Sequence, residues 1–352
     1  MKILVTGGAG FIGSYYVRAL LRGTYPGFEH AQVTVLDKLT YAGNQANLEP
    51  VATSPGFSFI RGDICDAALL AEVVPGHDAV INFAAETHVD RSIAGGAEFV
   101  ASNAMGVQVL LEACLNADVA RVVQVSTDEV YGSVDRGSWR EDAPLAPKSP
   151  YAAAKAGGDL LARAYARTHG LNVSITRCCN NYGPYQHPEK VIPLFVTNLL
   201  DGLKVPLYGD GQNVRGWIHV GDHCRGIQLV LERGEPGGIY HINGDAELTN
   251  IELARALLEW RRGLGDGGPR RGSQGARPAL LAGRLAAPGH GLRPAHAIRP
   301  GPGRYRPLVR AEPRLVGALE AARSRHARRQ RPGDLVSIAT RANRRALWPV
   351  GW

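Results

Sequence analysis

Lys2-Ile3-Leu4-Val5-Thr6-Gly7-Gly8-Ala9-Gly10-Phe11-Ile12-Gly13 joins an apolar strand to a helix through a glycine turn, the opening of an α/β fold. An apolar run of strand length stops at glycines, and residues 12–22 then show the i, i+3, i+4 apolar spacing of an amphipathic helix. The glycines at 7, 10 and 13 are spaced GxxGxxG. Gly7 permits the tight turn, Gly10 lets the backbone approach a pyrophosphate, and Gly13 brings helix and strand close together. N–H groups at the helix N-terminus, where Phe11 and Ile12 lie, then face the anion.

The alternation continues outward. Residues 2–6, 32–36, 58–62, 79–83, 121–126 and 172–177 read as short buried strands, and 101–116 as another amphipathic helix. Strands alternating with helices predict an α/β fold, a doubly wound parallel sheet (Rossmann fold) with a smaller C-terminal substrate lobe. Its ligands belong at the C-terminal ends of the strands. The expected boundaries are a dinucleotide-binding domain over 1–177, a substrate lobe over 178–260 interleaved with it, and an atypical segment over 261–352.

The second strand ends at Asp37, 24 residues beyond Gly13. A carboxylate there accepts hydrogen bonds from the adenosine ribose and repels a 2′-phosphate, which favours NAD over NADP although Lys38 follows directly. Asp63-Ile64 after the third strand are expected beside the adenine. Phe83-Ala84-Ala85 after the fourth are expected along the pyrophosphate and nicotinamide ribose.

Tyr151-Ala152-Ala153-Ala154-Lys155 is a YxxxK pair, whose i, i+4 spacing puts both side chains on one helix face. An ammonium beside a phenol lowers the phenol from its ordinary value of about 10, as a general base requires. Ser126-Thr127 ends a strand just before it, and Asp128-Glu129 follow. Adjacent carboxylates repel, so one can hold a proton while the other acts as base.

These segments resemble the dTDP-glucose 4,6-dehydratases of the extended short-chain dehydrogenase/reductase family. The resemblance covers roughly residues 1–260. It rests on residues 37–44, Ala85-Glu86-Thr87-His88-Val89-Asp90-Arg91-Ser92, residues 126–132, Asn180-Asn181-Tyr182-Gly183-Pro184-Tyr185, Pro188-Glu189-Lys190 and Asn213-Val214-Arg215. It implies NAD as cofactor, held also by Leu39, Thr40, Thr87, Ser102 and Asn181. It implies that Tyr151 takes the proton of the glucose 4-hydroxyl, Glu129 the C5 proton, and Asp128 protonates the departing C6 hydroxyl, with Thr127 on the sugar. Thr87, Asn180, Glu189, Lys190, Val191, Pro206, Leu207, Tyr208, Arg215 and Asn250 are implied at the substrate, Arg215 as a diphosphate clamp. It further implies a homodimer built on helices at 101–116 and 151–168. Two positions depart from the family pattern: Thr87 replaces Ser, and Gly216 stands where an acid usually follows the Arg.

The formal net charge of +8 is unevenly spread. Residues 261–352 hold 20 Arg, no Lys and 4 acids, so the preceding residues carry 20 basic and 28 acidic groups, a balance of −8. The basic segment is rich in Gly, Pro and Ala, nearly lacks aromatics and contains no nucleic-acid-binding module, so nucleic acid is not an expected partner and little order is expected there. It is expected to come from a one-base frameshift near codon 260. Residues 272–284 can be encoded so that the next frame reads Gly-Arg-Lys-Gly-His-Asp-Leu-Arg-Tyr-Ser-Leu-Asp, which resembles the family's Asp-Arg-x-Gly-His-Asp-x-Arg-Tyr nucleotide motif. Without that motif the chain should bind NAD yet bind the dTDP-sugar poorly. Five cysteines form no CxxC pair or ligand cluster and are expected to be reduced, with no metal. No apolar stretch approaches the ~18 residues of a membrane span, and no signal-peptide pattern opens the chain, so a cytoplasmic location is expected.

Overall fold

The computed structural model describes residues 1–134 and 137–263, together with a short strand at 336–338. These divide into two compact units. The first comprises Met1–Cys179 and Val220–Asn243; the second comprises Asn180–His219 and, beyond it, residues 244–263 with the strand at 336–338.

The first unit runs β1 (Lys2–Thr6), α1 (Phe11–Leu21), β2 (Gln32–Asp37), β3 (Phe57–Arg61), α2 (Ala67–Val73), β4 (Ala79–Asn82), α3 (Val89–Ala94), α4 (Ala97–Val100), α5 (Gly106–Asn116), β5 (Arg121–Thr127), α6 (Pro150–His169) and β6 (Val173–Cys178). The second unit then supplies β7 (Asn180–Tyr182), α7 (Val191–Leu200), β8 (Val205–Leu207) and β9 (Val214–His219). The chain returns to the first unit for α8 (Val220–Arg233) and β10 (Ile239–Ile242). It ends in the second with β11 (Ala246–Thr249), α9 (Asn250–Gly263) and β12 (Val336–Ile338).

Seven strands form one sheet in the order β10-β6-β5-β4-β1-β2-β3, with every pair parallel. Its apolar strands bury both faces, as a parallel sheet requires. Leu4, Leu36, Val80, Val122 and Val173 pack with Leu70, Leu110, Leu111 and Ala162 of α2, α5 and α6 on one face. Ile3 and Val5 alternate to the other face and are fully buried there too. The strand order reverses beside β1, between β2 and β4, so the crevice at the ends of these strands is the ligand position of the fold. The doubly wound fold read from the sequence is the observed one.

Residues 220–243 return to the first unit, where β10 completes the seven-stranded sheet. One element departs from the sequence reading. Residues 101–116 are not one regular helix: Ala101–Met105 form a π-helical turn before α5. Its Asn103 is fully buried, accepts from the Glu86 N–H and donates to the Glu86 carbonyl, both at 2.9 Å. Those bonds hold the loop after β4 in the way a neighbouring strand would. A Cβ on Gly158 of α6 would collide with the Asn103 carbonyl, so this glycine sets the close approach of α6 to the turn.

In the second unit β9 pairs with β7 in parallel and with β11 in antiparallel fashion, and β8 pairs with β12. Phe195, Leu199, Trp217, Leu253 and Leu257 form its core with α7 and α9. The frameshift, nucleotide-motif and order expectations for 264–352 lie outside the described residues apart from β12.

Candidate active site

The cofactor loop is built by sterics. Gly7 adopts φ +68°, and a Cβ there would come within 2.5 Å of the Ala84 nitrogen. A Cβ on Gly13 would collide with the Gly7 carbonyl and lie 2.9 Å from the Gly8 Cα. At Gly10 the nearest atom is the Gly7 oxygen at 3.3 Å, so this position packs against little of the protein and leaves room for a ligand. Gly10 caps α1 without any side-chain hydrogen bond, so the N-terminus beginning at Phe11 and Ile12 presents its N–H groups to an anion. These three positions suit a dinucleotide pyrophosphate.

Asp37 makes contacts that spacing did not reveal. Its carboxylate accepts from the Ala9 N–H at 2.9 Å and the Leu39 N–H at 2.8 Å, tying the end of β2 to the glycine loop. Burial pushes its pKa up, and these two N–H groups pull it back. Each oxygen keeps a further lone pair for a ribose hydroxyl. Leu39 is held at φ 58°, a left-handed conformation that costs a branched side chain about 1–3 kcal/mol. Lys38 pairs with Asp63 at 2.7 Å. Burial alone would raise the Asp63 carboxyl, but the Lys38 ammonium and the Cys65 N–H hold it below its ordinary value. The Glu86 carboxyl is raised by burial, against a hydrogen bond with Thr40.

Ile64 turns its side chain into the core beneath Gly106 and so offers a ligand only backbone. Phe83 packs on Tyr16, with centroids 5.7 Å apart, and Ala84 donates to Asn82 Oδ1 at 3.1 Å, shaping the loop through Ala85 and Thr87. Ser102 lies half-buried on the π-helical turn.

The residues the sequence marked as catalytic candidates lie at the end of β5 and the start of α6. Thr127 caps a 3-10 turn, Asp128–Tyr131, accepting from the Glu129 N–H at 3.2 Å, and its hydroxyl donates to Asp128 at 3.3 Å. Helix α6 begins beside it because Ser149 caps the Ala152 N–H at 3.1 Å and Pro150 fills the first turn. Tyr151 therefore sits in the first turn, hydrogen-bonded to Thr127. Lys155, one turn on and buried, donates to the Val125 carbonyl at 2.6 Å. Thr127, Asp128, Glu129, Tyr151 and Lys155 are thus brought together within one unit.

The expected lowering of the Tyr151 phenol is not what these groups produce. Burial raises it well above its ordinary value, the Glu129 carboxylate and Cys178 add to that, and the Thr127 hydrogen bond opposes it. Lys155 is itself lowered by burial, against the pull of Asp159 and Cys178.

In the second unit, Asn180, Leu207, Arg215 and Asn250 lie on or beside the β7–β9–β11 sheet. Asn250 donates its N–H to the Asn213 carbonyl and Ile251 to that of Gly211, while a Cβ on Gly211 would sit 2.8 Å from Leu207. Pro206, Tyr208 and Arg215 are exposed near these contacts, and Leu207 is buried beneath. Asn180 donates to the Gly216 carbonyl at 3.2 Å, and Gln186 to that of Asn181 at 2.8 Å. Lys190 precedes α7 as its N-cap, Glu189 is exposed, and Val191 packs on the core. Strand register puts Glu247 opposite Gly216, so a carboxylate stands on the adjacent strand where the sequence had lost one.

Sequence reasoning missed Asn103, and with it a buried group behind the acid pair: Tyr131, Asp159, Arg177 and His241. Their signal is burial of charge, which no local pattern carries.

A family model described as GDP-mannose 4,6 dehydratase matches residues 4–266. A dTDP-glucose 4,6-dehydratase of Streptomyces niveus is 64% identical over 259 residues, covering 74% of this chain and 77% of that one. One from Actinoplanes sp. is 60% identical over 260 residues, covering 74% and 81%. The crystal structure of DesIV, the dTDP-glucose 4,6-dehydratase of Streptomyces venezuelae with NAD and dTDP bound, superposes with a TM-score of 0.73 at 56% identity, covering 81% of this chain and 96% of that one. A UDP-glucuronic acid 4-epimerase of Bacillus cereus gives 0.69 at 29% identity, covering 74% and 82%. With its glycine loop, acid pair and YxxxK helix in place, the chain belongs to the dTDP-glucose 4,6-dehydratase family of NAD-dependent extended short-chain dehydrogenases.

Proposed function

We propose that this chain removes water from dTDP-glucose to give dTDP-4-keto-6-deoxyglucose, using the five residues gathered at the end of β5 and the start of α6. NAD supplies the hydride acceptor for C4 and the donor that reduces C6, and so is unchanged over the cycle. Tyr151 takes the proton of the 4-hydroxyl; a bound oxidised nicotinamide would supply positive charge that offsets the Glu129 carboxylate, which disfavours the phenolate. Thr127 hydrogen-bonds the sugar oxygen at C4. The C4 ketone acidifies C5; Glu129 takes that proton while Asp128 protonates the C6 hydroxyl, which leaves as water. Hydride arrives at C6 and Glu129 returns a proton to C5, so the net change is loss of one water. The cofactor would be held by Gly7, Gly10, Gly13, Asp37, the 38–40 and 63–64 segments, the 83–87 loop, Ser102 and Lys155. Within the second unit Asn180, Lys190, the 206–208 segment, Arg215 and Asn250 hold the nucleotide diphosphate.

The observation that carries this reading is the acid pair. Asp128 and Glu129 lie on one short turn capped by Thr127, with Glu129 close enough to Tyr151 to raise its pKa. An epimerase needs only the oxidation and return at C4, whereas elimination needs an acid and a base besides Tyr151. Incubating the chain with dTDP-glucose, GDP-mannose and UDP-glucose and reading loss of water by mass spectrometry tests it. Dehydration of dTDP-glucose is expected; epimerisation, or preference for another nucleotide sugar, would contradict it.

A second reading, an impaired dehydratase, is favoured by one observation: the family match stops at residue 266. Family-like affinity for dTDP-glucose in the chain as it stands would rule it out. We also place the protein in the cytoplasm, where its five free thiols fit a reducing setting. Among the described residues no helix is long and apolar enough to cross a membrane. We assign it as a homodimer, supported by exposed Val100, Met105 and Leu160 on the 97–116 and 150–169 helices.

A further inference from the structure

The acid pair occupies the first half of a four-residue turn, and Tyr131 occupies the last position. The Tyr131 ring is buried, stacked on Trp139 at 6.0 Å and crossed by His241 at 5.4 Å. Its hydroxyl accepts from Arg177 Nη1 at 2.5 Å, shares a hydrogen bond with His241 Nε2 at 2.7 Å, and donates to the Glu141 carbonyl at 3.2 Å. Arg177 lies over the same ring at 4.7 Å and pairs through Nε with Asp159 at 2.8 Å. Arg177 and Asp159 are both fully buried. Asp159 is one helical turn beyond Lys155 on α6, and its charge raises the Lys155 pKa against burial. A continuous polar chain therefore runs from the YxxxK helix through Asp159 and Arg177 to the far end of the acid turn. A buried ion pair is weak support for stability, since desolvation cancels most of its attraction. Three hydrogen bonds converging on one hydroxyl instead fix a position.

We propose that Tyr131, held by Arg177 and His241, positions Asp128 and Glu129 for the elimination half of the reaction. Tyr131 is a positioning residue: it acts on the turn and leaves C4 oxidation, which belongs to Tyr151, untouched. The inference rests on the roles given above to Asp128 and Glu129.

Tyr131→Phe keeps the ring and removes the hydroxyl. Mixed with excess dTDP-glucose, it should show a burst of reduced-nicotinamide absorbance that decays slowly, because C4 is oxidised while elimination lags. The unsubstituted chain should show no such burst. Steady turnover should fall about tenfold to a hundredfold, the effect of a misplacement on the order of 1 Å, with KM unchanged. His241→Gln retains a hydrogen-bonding group facing the hydroxyl and should give a smaller burst. Turnover that slows without the burst, or does not slow, overturns the proposal; if Tyr131→Phe does not fold, a burst-free and fully active His241→Gln does so. Asp128→Asn separates the two levels of the argument. If it too lacks the burst, the assignment of Asp128 fails; if it shows the burst while Tyr131→Phe does not, only the role of Tyr131 fails.

Discussion

Lys155 on α6 donates to the carbonyl oxygen of Val125 on β5 at 2.6 Å, so the helix carrying Tyr151 is tied to the strand carrying Thr127. One buried ammonium thus ties Tyr151 to the turn that bears the acid pair. Removing it should act on both. Lys155→Met is expected to lower turnover by about 10²–10⁴-fold, the span of a lost general-base system. It should also lower stability by about 1–3 kcal/mol, because the Val125 carbonyl is left buried without its partner. Steady-state kinetics with denaturant unfolding checks both, and full activity in the folded variant would contradict the role.

The glycine loop separates folding from cofactor binding. Gly13→Ala forces a methyl onto the Gly7 carbonyl and should cost about 1–3 kcal/mol of stability. Gly10→Ala meets only the Gly7 oxygen at 3.3 Å and should melt near the parent temperature. It should nevertheless bind NAD at least about tenfold more weakly, equivalent to about 1.4 kcal/mol. Calorimetric titration alongside thermal unfolding distinguishes the two, and equal NAD affinity in Gly10→Ala would refute the assigned approach of the pyrophosphate.

Much of this was legible before any coordinates, for a physical reason. The β1 strand, the GxxGxxG turn and the YxxxK helix are local patterns, each set by residues within a few positions of one another. Asp37 was legible as a carboxylate ending its strand but not as the anchor of Ala9, because that contact joins residues 28 apart in sequence. Arg177 is paired with Asp159 across α6 and β6, so its strand reads as a buried one containing an unexplained charge. The sign of the Tyr151 shift was missed because burial and Glu129 outweigh a lysine turned toward Val125. The return of 220–243 to the first sheet depends on long-range pairing of β10 with β6, which no short-range signal announces.

Acid stability should report His223. Burial lowers its pKa from 6.5 to about 3, so the folded state holds it neutral while the unfolded chain takes up a proton below 6.5. Its contribution to stability is therefore present above that pH and lost as the pH falls toward 3. Between pH 6.5 and 5 the loss amounts to about 2 kcal/mol at most. His223→Gln should flatten this part of the stability–pH curve, measured by urea unfolding at several pH values. An unchanged slope would show that His223 is not the titrating group.

The segment after residue 263 bears on substrate affinity. Arg215 and Asn250 survive in the second unit, but the family match ends at 266. The chain as it stands is expected to bind NAD normally and dTDP weakly. A chain continued in the frame that reads Gly-His-Asp-x-Arg-Tyr should bind dTDP at least about tenfold more tightly, a gain of about 1.4 kcal/mol. Sequencing the DNA across codons 250–352 and titrating both proteins with dTDP decides the matter, and equal affinities would remove the frameshift account.

One site is expected to oxidise C4, eliminate water across C5 and C6, and reduce C6 with the hydride it removed. The most direct test supplies dTDP-glucose carrying deuterium at C4, at saturating concentration, and locates the label by NMR. The expected product is a 4-keto-6-deoxy sugar with the deuterium on C6. A product with the label washed out, an epimer with deuterium still at C4, or no loss of water at all would contradict it.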